Sequence, residues 1–197
     1  LQKTDTPMSF YAATKKSNEL MAHSYAHIFD LPITMFRFFT VYGPWGRPDM
    51  ALFKFTRCMT ENEEIEVYNH GEMQRDFTYV SDLVEAIQRL IHVVPPKSDQ
   101  RSSFSQSTHD SLSEVAPFRV VNIGNSKPVQ LMDYIEAVEK ALGVTAKKKF
   151  LPMQQGDVPA TYADTRLLQH LIGKIPSTAV TDGVAEFIKW YKRFYPK

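Results

Sequence analysis

Two short apolar runs without polar alternation, Ile33–Phe39 and Phe118–Ile123, constrain this chain most. A strand lacking period-two alternation is one buried on both faces, and such strands belong to parallel sheets covered by helices. The intervening stretches are helical in period. Ser9 can cap a helix reaching about Phe29, with Leu20, Met21, Tyr25, Ile28 and Phe29 near helical spacing, before Asp30 and Pro32 end it. Asp49 can cap a second helix through about Thr60, and Ser81 starts a third with Leu83, Val84, Ile87, Leu90 and Ile91 as its apolar face. Leu131–Leu142 is a fourth, with Gly143 just past its end, and two more lie near Arg166–Leu171 and beyond Thr181. Shorter strands are expected at Ile65–Tyr68, Asp76–Val80 and Lys149–Leu151. This alternation predicts an α/β fold with mostly parallel pairing. Residues 1–45 read as the last unit of a doubly wound, Rossmann-like sheet, and 46–197 as a smaller mixed α/β lobe. Residues 95–117, with Pro95-Pro96 and seven serines, read as a mobile surface loop.

Composition narrows the partners. The 197 residues carry a net charge of +1, so no global field draws nucleic acid or a membrane surface. An anionic ligand must then be held by a few local cations. No apolar run approaches the ~20 residues of a membrane span. The single cysteine, Cys58, leaves no internal disulfide, and Phe53, Phe55 and Met59 around it suggest a buried thiol. His23 and His27 stand four apart, but Ser24 occupies the place where a zinc-protease helix has Glu, so no metal site is expected. Lys147-Lys148-Lys149 reads as a solvated strand edge that discourages pairing. The chain starts at Leu1 with no Met or charged leader, and reads as a cut from a larger protein.

The chemistry starts at Tyr11 and Lys15, four residues apart on one predicted helix and therefore on one face. A free phenol holds its proton too tightly to act as a base at neutral pH, and a neighbouring ammonium favours the phenolate. Such a pair suits proton transfer at an alcohol undergoing hydride transfer. Alone, the spacing also fits an amphipathic helix with a surface lysine.

The wider pattern resolves this. Tyr11-Ala-Ala-Thr-Lys15-Lys16-Ser17-Asn18-Glu19 is followed by the block Arg37 to Met50, RFFTVYGPWGRPDM. Arg75-Asp76-Phe77-Thr78-Tyr79-Val80, Asn122-Ile123-Gly124-Asn125 and Gly156-Asp157-Val158-Pro159 come next. In order and spacing these blocks resemble the extended short-chain dehydrogenases that act on nucleotide sugars, and the second is most similar to the UDP-glucuronate 4-epimerases. The resemblance implies NAD as cofactor and a UDP-sugar as substrate. It implies that Tyr11 exchanges the proton of the sugar 4-OH while Lys15 holds the nicotinamide ribose. It further implies that Arg75 contacts the pyrophosphate, Asp157 the uridine ribose, Tyr68 the uracil, and Thr40 with Arg47 the glucuronate carboxyl group. Arginine suits both anions because its planar fork donates two hydrogen bonds at once. Plainer readings stand beside these: Arg75 as a surface arginine paired with Asp76, Thr40 as a strand-end threonine satisfied by backbone, and Tyr68 as a core aromatic. Gln154 stands where galactose epimerases carry an arginine, which leaves one phosphate contact without its usual donor.

The Gly-rich phosphate-binding turn of a Rossmann unit is absent from these residues, so weak NAD binding and no turnover are expected of the chain alone. A cytoplasmic homodimer using the first helix, with Met21, Tyr25 and Ile28, is also implied by the resemblance. The alternatives are a nucleotide-sugar 4,6-dehydratase or decarboxylase of the same superfamily, and a non-catalytic UDP-sugar-binding module.

Overall fold

The computed structural model describes residues 4–97 and 110–196. Contacts divide the chain into two units, each assembled from three segments. The first unit takes residues 1–38, 85–123 and 164–175, and the second takes 39–84, 124–163 and 176–197. Part of the serine-rich stretch, 98–109, lies outside the described residues.

The first unit starts with helix α1, Phe10–Phe29. Ser9 caps it as expected: its hydroxyl accepts from the Ala12 N–H at 3.1 Å, and Asp30 ends it in the left-handed conformation. Strand β1, Ile33–Phe38, pairs in parallel with β5, Phe118–Ile123. These two strands therefore lie together although 79 residues of sequence separate Phe38 from Phe118 by number, 118 minus 39. The β5 strand is buried, as its apolar run implies, but β1 is only half-buried and Phe38 is 49% exposed. The expectation of two covered faces fails for β1, which also has β5 as its one strand neighbour among the described residues. Ala26 of α1 packs with Ala116, Phe118 and Val120 as a small core. Helix α5, Arg166–Ile172, packs on β5.

The second unit holds the larger core. Strand β2, Thr40–Tyr42, runs parallel to β4, Gln74–Tyr79, which pairs antiparallel with β6, Pro128–Gln130. Strand β3, Glu64–Val67, runs parallel to β7, Lys147–Phe150. Here the lysine run departs from expectation. Glu64 stands opposite Lys147 and Glu66 opposite Lys149, while Lys148 reaches the Glu139 carboxylate. Opposite charges across the strands support the pairing that the lysines were expected to discourage.

Helices α2 (Ala51–Thr60), α4 (Leu131–Leu142) and α6 (Val180–Phe194) cover these strands. Gly143 takes φ +76° and closes α4, as its position past Leu142 predicts. Phe77 and Tyr134 stack with centroids 3.9 Å apart, and Tyr42 meets both edge-on. Full burial of the Phe77 side chain stabilises by roughly 1.5–3 kcal/mol. Trp45 packs on Trp190 and Phe194, while Phe53 meets Tyr191 and Tyr195, so the end of α6 is tied to the Gly43–Asp49 loop and to α2.

Three details differ from the sequence reading. Met50, not Asp49, stands at the N-cap of α2, because Arg47 holds the Asp49 carboxylate. In helix α3, Val80–Leu90, the buried apolar positions are Leu83, Ala86 and Leu90, whereas Val84, and Ile91 just past its end, are exposed. Each exposed residue follows a buried one by about 100° of helical turn. Cys58 is half-buried, its neighbours Phe53, Phe55 and Met59 taking the core positions. Among the described residues no helix is long and apolar enough to cross a membrane.

Candidate functional site

In the first unit, Tyr11 sits in the opening turn of α1 and is 71% exposed. One turn on, the Lys15 ammonium lies 5.3 Å from the Tyr11 ring centroid. The pair expected from spacing thus exists, on an exposed part of the helix. Glu19 follows Lys15 by another turn and is placed to neutralise it. It does not, because its carboxylate is held by Arg37 of β1 through Nε at 2.6 Å and Nη2 at 2.7 Å, with Lys16 nearby at 3.6 Å. Burial alone would raise the Glu19 carboxyl, but Arg37 and Lys16 bring it below its ordinary range. Among the described residues Lys15 makes no ion pair, and its ammonium stands over the Tyr11 ring. The Glu19–Arg37 pair was missed from sequence, although an arginine inside a buried-type strand signals the need for an acidic partner.

His23 and His27 have structural partners: His23 Nε2 is 2.7 Å from the Ser113 hydroxyl, and His27 Nδ1 donates to the Val115 carbonyl. They fasten residues 113–115 to α1.

In the second unit, Arg75 and Asp157 come together although 82 positions separate them. Arg75 Nη2 donates to Asp157 Oδ1 at 2.7 Å, and Nη1 donates to the Gln74 carbonyl. The reading of Arg75 as a partner of Asp76 is therefore corrected. Adjacent residues on a strand point to opposite faces, and Asp76 is fully buried on the other side. The Arg75–Asp157 pair is part-buried and keeps donors and one carboxylate oxygen uncommitted, an arrangement suited to a ligand bearing both anionic and hydroxyl groups.

Thr40 and Arg47 line one pocket, with Gly43 and Gly46 between them in sequence and Met50 just beyond. Among the described residues the Thr40 hydroxyl makes no hydrogen bond, so the backbone-satisfied reading fails. Arg47 forks onto Asp49, its Nε donating to Oδ1 at 3.0 Å, and this hydrogen bond holds the Asp49 carboxyl below its ordinary range. The guanidinium thus already receives a carboxylate in bidentate fashion. Tyr68 does not end β3 but opens a short 3-10 turn, Tyr68–Gly71. It is half-exposed, not a core aromatic, and its hydroxyl donates to Glu66 Oε2 at 2.8 Å.

A family profile described as "NAD dependent epimerase/dehydratase family" matches residues 1–99. The chain belongs to this family. It is 57% identical over 193 residues to a Rhizobium meliloti protein named "Probable UDP-glucuronate 4-epimerase", covering 98% of this chain and 56% of that protein. UDP-glucuronate 4-epimerase 4 of Arabidopsis thaliana is 41% identical over 98% of this chain and 43% of its own length. Among solved structures, UDP-glucuronic acid 4-epimerase from Bacillus cereus in complex with UDP-glucuronic acid and NAD superposes with TM-score 0.79 at 29% identity, covering 96% of this chain and 55% of that one. The chain spans about half the length of the curated relatives it matches.

Proposed function

We propose that this chain carries the acid/base pair and the nucleotide-sugar-binding residues of an NAD-dependent UDP-glucuronate 4-epimerase, interconverting UDP-glucuronate and UDP-galacturonate. The carrying observation is the Lys15 ammonium standing 5.3 Å from the centre of an exposed phenol on the same helix face. The likeness to the Rhizobium, Arabidopsis and Bacillus proteins supports the substrate class.

The donor set at this end of α1 fits the ribose end of NAD, since an ammonium and a phenol suit paired hydroxyls. When bound, NAD supplies the acceptor and donor of hydride at sugar C4. Tyr11, acting as the phenolate, accepts the proton of the 4-OH as C4 is oxidised. It returns that proton to the 4-keto sugar after the sugar presents its other face. Lys15 would hold the ribose and keeps a positive charge over the Tyr11 ring. Arg75 neutralises the pyrophosphate and Asp157 accepts from the uridine ribose. Tyr68 stacks on uracil, and Thr40 with Arg47 receives the hexuronate carboxylate. In this reading the protein acts in the cytoplasm as a homodimer, supported by the exposure of Met21, Tyr25 and Ile28 on α1.

The test joins this chain behind the N-terminal part of the Rhizobium meliloti relative and assays the purified fusion with UDP-glucuronate and NAD. UDP-galacturonate is the expected product, and Tyr11→Phe abolishes it. A folded, UDP-binding fusion that yields no product, or a dehydrated or decarboxylated sugar, refutes the assignment.

A further inference from the structure

Asp76 is fully buried, yet among the described residues no cation meets its carboxylate. Three backbone N–H groups do. Oδ1 accepts from Asn125 at 2.8 Å, while Oδ2 accepts from Ser126 at 2.9 Å and Ala163 at 3.0 Å. Two of these donors are consecutive, and Ser126 takes the left-handed φ of +56°. Successive N–H groups turned inward by such a residue form an anion-binding nest. Here the anion is the protein's own side chain.

The backbone of Asp76 is used as well. In the antiparallel pairing it stands opposite Pro128, which has no N–H to give. Its own N–H donates to the Thr161 hydroxyl at 3.1 Å. Gln74 adds two ladder bonds to the same segment, accepting from Thr161 and donating to Pro159 at 2.9 Å. Residues 159–163 therefore lie along β4, held at Pro159 and Thr161 by the Gln74 backbone and at Thr161 and Ala163 by Asp76. Gly124 permits the approach: a Cβ there would stand 2.2 Å from the Ala163 Cβ and 3.3 Å from Asp76 Oδ1.

This arrangement joins the two halves of the proposed nucleotide site. Arg75 precedes Asp76 on β4, and Asp157 lies two residues before the segment that Asp76 seats. We propose that Asp76 is the positioning residue for nucleotide binding, an internal anion that fixes Asp157 at ion-pair distance from Arg75. The inference rests on the reading of Arg75 and Asp157 as contacts for the pyrophosphate and ribose.

Asp76→Asn tests it, since the amide keeps the shape but turns N–H groups toward N–H donors. UDP is titrated calorimetrically into the full chain, at a temperature where circular dichroism shows both proteins folded. Affinity is expected to fall at least tenfold. In an Arg75→Gln background the same change is expected to weaken UDP little further, because Asp76 acts through that pair. A purely structural role would lower the melting temperature without this non-additivity. If Asp76→Asn does not fold, Thr161→Val serves: it spares the carboxylate, cuts the other tie, and is expected to weaken UDP several-fold. Wild-type affinity in the folded Asp76→Asn protein, additive losses, or an unchanged affinity in Thr161→Val overturns the inference. Failure of the wild-type chain to bind UDP overturns the site reading itself.

Discussion

Removing Asp110 should destabilise the first unit far more than removing its partner. Arg119 of β5 is 1% exposed, and its Nε and Nη2 donate to Asp110 at 3.0 and 3.1 Å. Its Nη1 has no partner among the described residues. Asp110→Ala leaves a guanidinium buried without a counter-charge, which costs about 3–5 kcal/mol. That is a large share of the ~5–15 kcal/mol that holds a domain folded. Arg119→Met removes the charge and fills a similar space. The Asp110 side chain left behind keeps some water contact, at 12% exposure, and a bond from the Leu112 N–H. Its loss is expected to stay below about 1.5 kcal/mol, and the double variant Asp110→Asn with Arg119→Met to lie within about 1 kcal/mol of wild type. The probe must be local. Both tryptophans, Trp45 and Trp190, belong to the second unit, so fluorescence is silent on the first. Hydrogen exchange of the β5 amides reads the opening free energy directly. A cost below about 1 kcal/mol for Asp110→Ala, or an Arg119→Met cost equal to it, refutes the buried-charge argument.

Three further outcomes follow from the geometry. Gly124→Ala forces a methyl group to within 2.2 Å of Ala163 and is expected to cost about 1–3 kcal/mol, read by tryptophan fluorescence in urea. Glu19 has its folded carboxyl lowered from 4.5, so its contribution is present above that pH and is lost as pH falls through the lowered value. Protection of the α1 amides, corrected for the pH dependence of intrinsic exchange, should therefore fall in acid below pH 4.5, and Arg37→Gln should shrink that acid limb; an unaltered limb counts against the pair. Arg47→Gln should weaken UDP-glucuronate about tenfold or more while sparing UDP-glucose, because a charge-assisted fork is lost only for the carboxylate; calorimetry with both sugars decides.

Much of the scaffold was legible because local rules agreed with tertiary packing. Ser9, Gly143 and the apolar run of β5 were each read correctly, since caps and uninterrupted apolar strands depend on few neighbours. The errors came where one side chain had a choice of partners. Asp49 is free in sequence to cap α2 or to pair with Arg47, and in the folded chain the guanidinium takes it. Arg75 had Asp76 beside it and Asp157 far away, yet strand alternation turns the near carboxylate to the opposite face. The lysine run was judged by its own charge, without the glutamates of β3 that stand across from it. Asp76 itself gave one usable signal, a charged residue inside a strand whose following residues, Phe77 and Thr78, are buried.

The aromatic packing at the end of α6 has a practical corollary for anyone engineering this protein. Trp45, one residue before Gly46 and two before Arg47, rests against Trp190 and Phe194, 4.7 Å from the latter ring. Trimming or remodelling residues 190–195 would thus slacken the arginine's mooring from nearly 150 positions downstream, 194 minus 47 being 147. If Arg47 receives the sugar carboxylate as proposed, affinity tags and truncations there would alter sugar recognition and are not neutral handles.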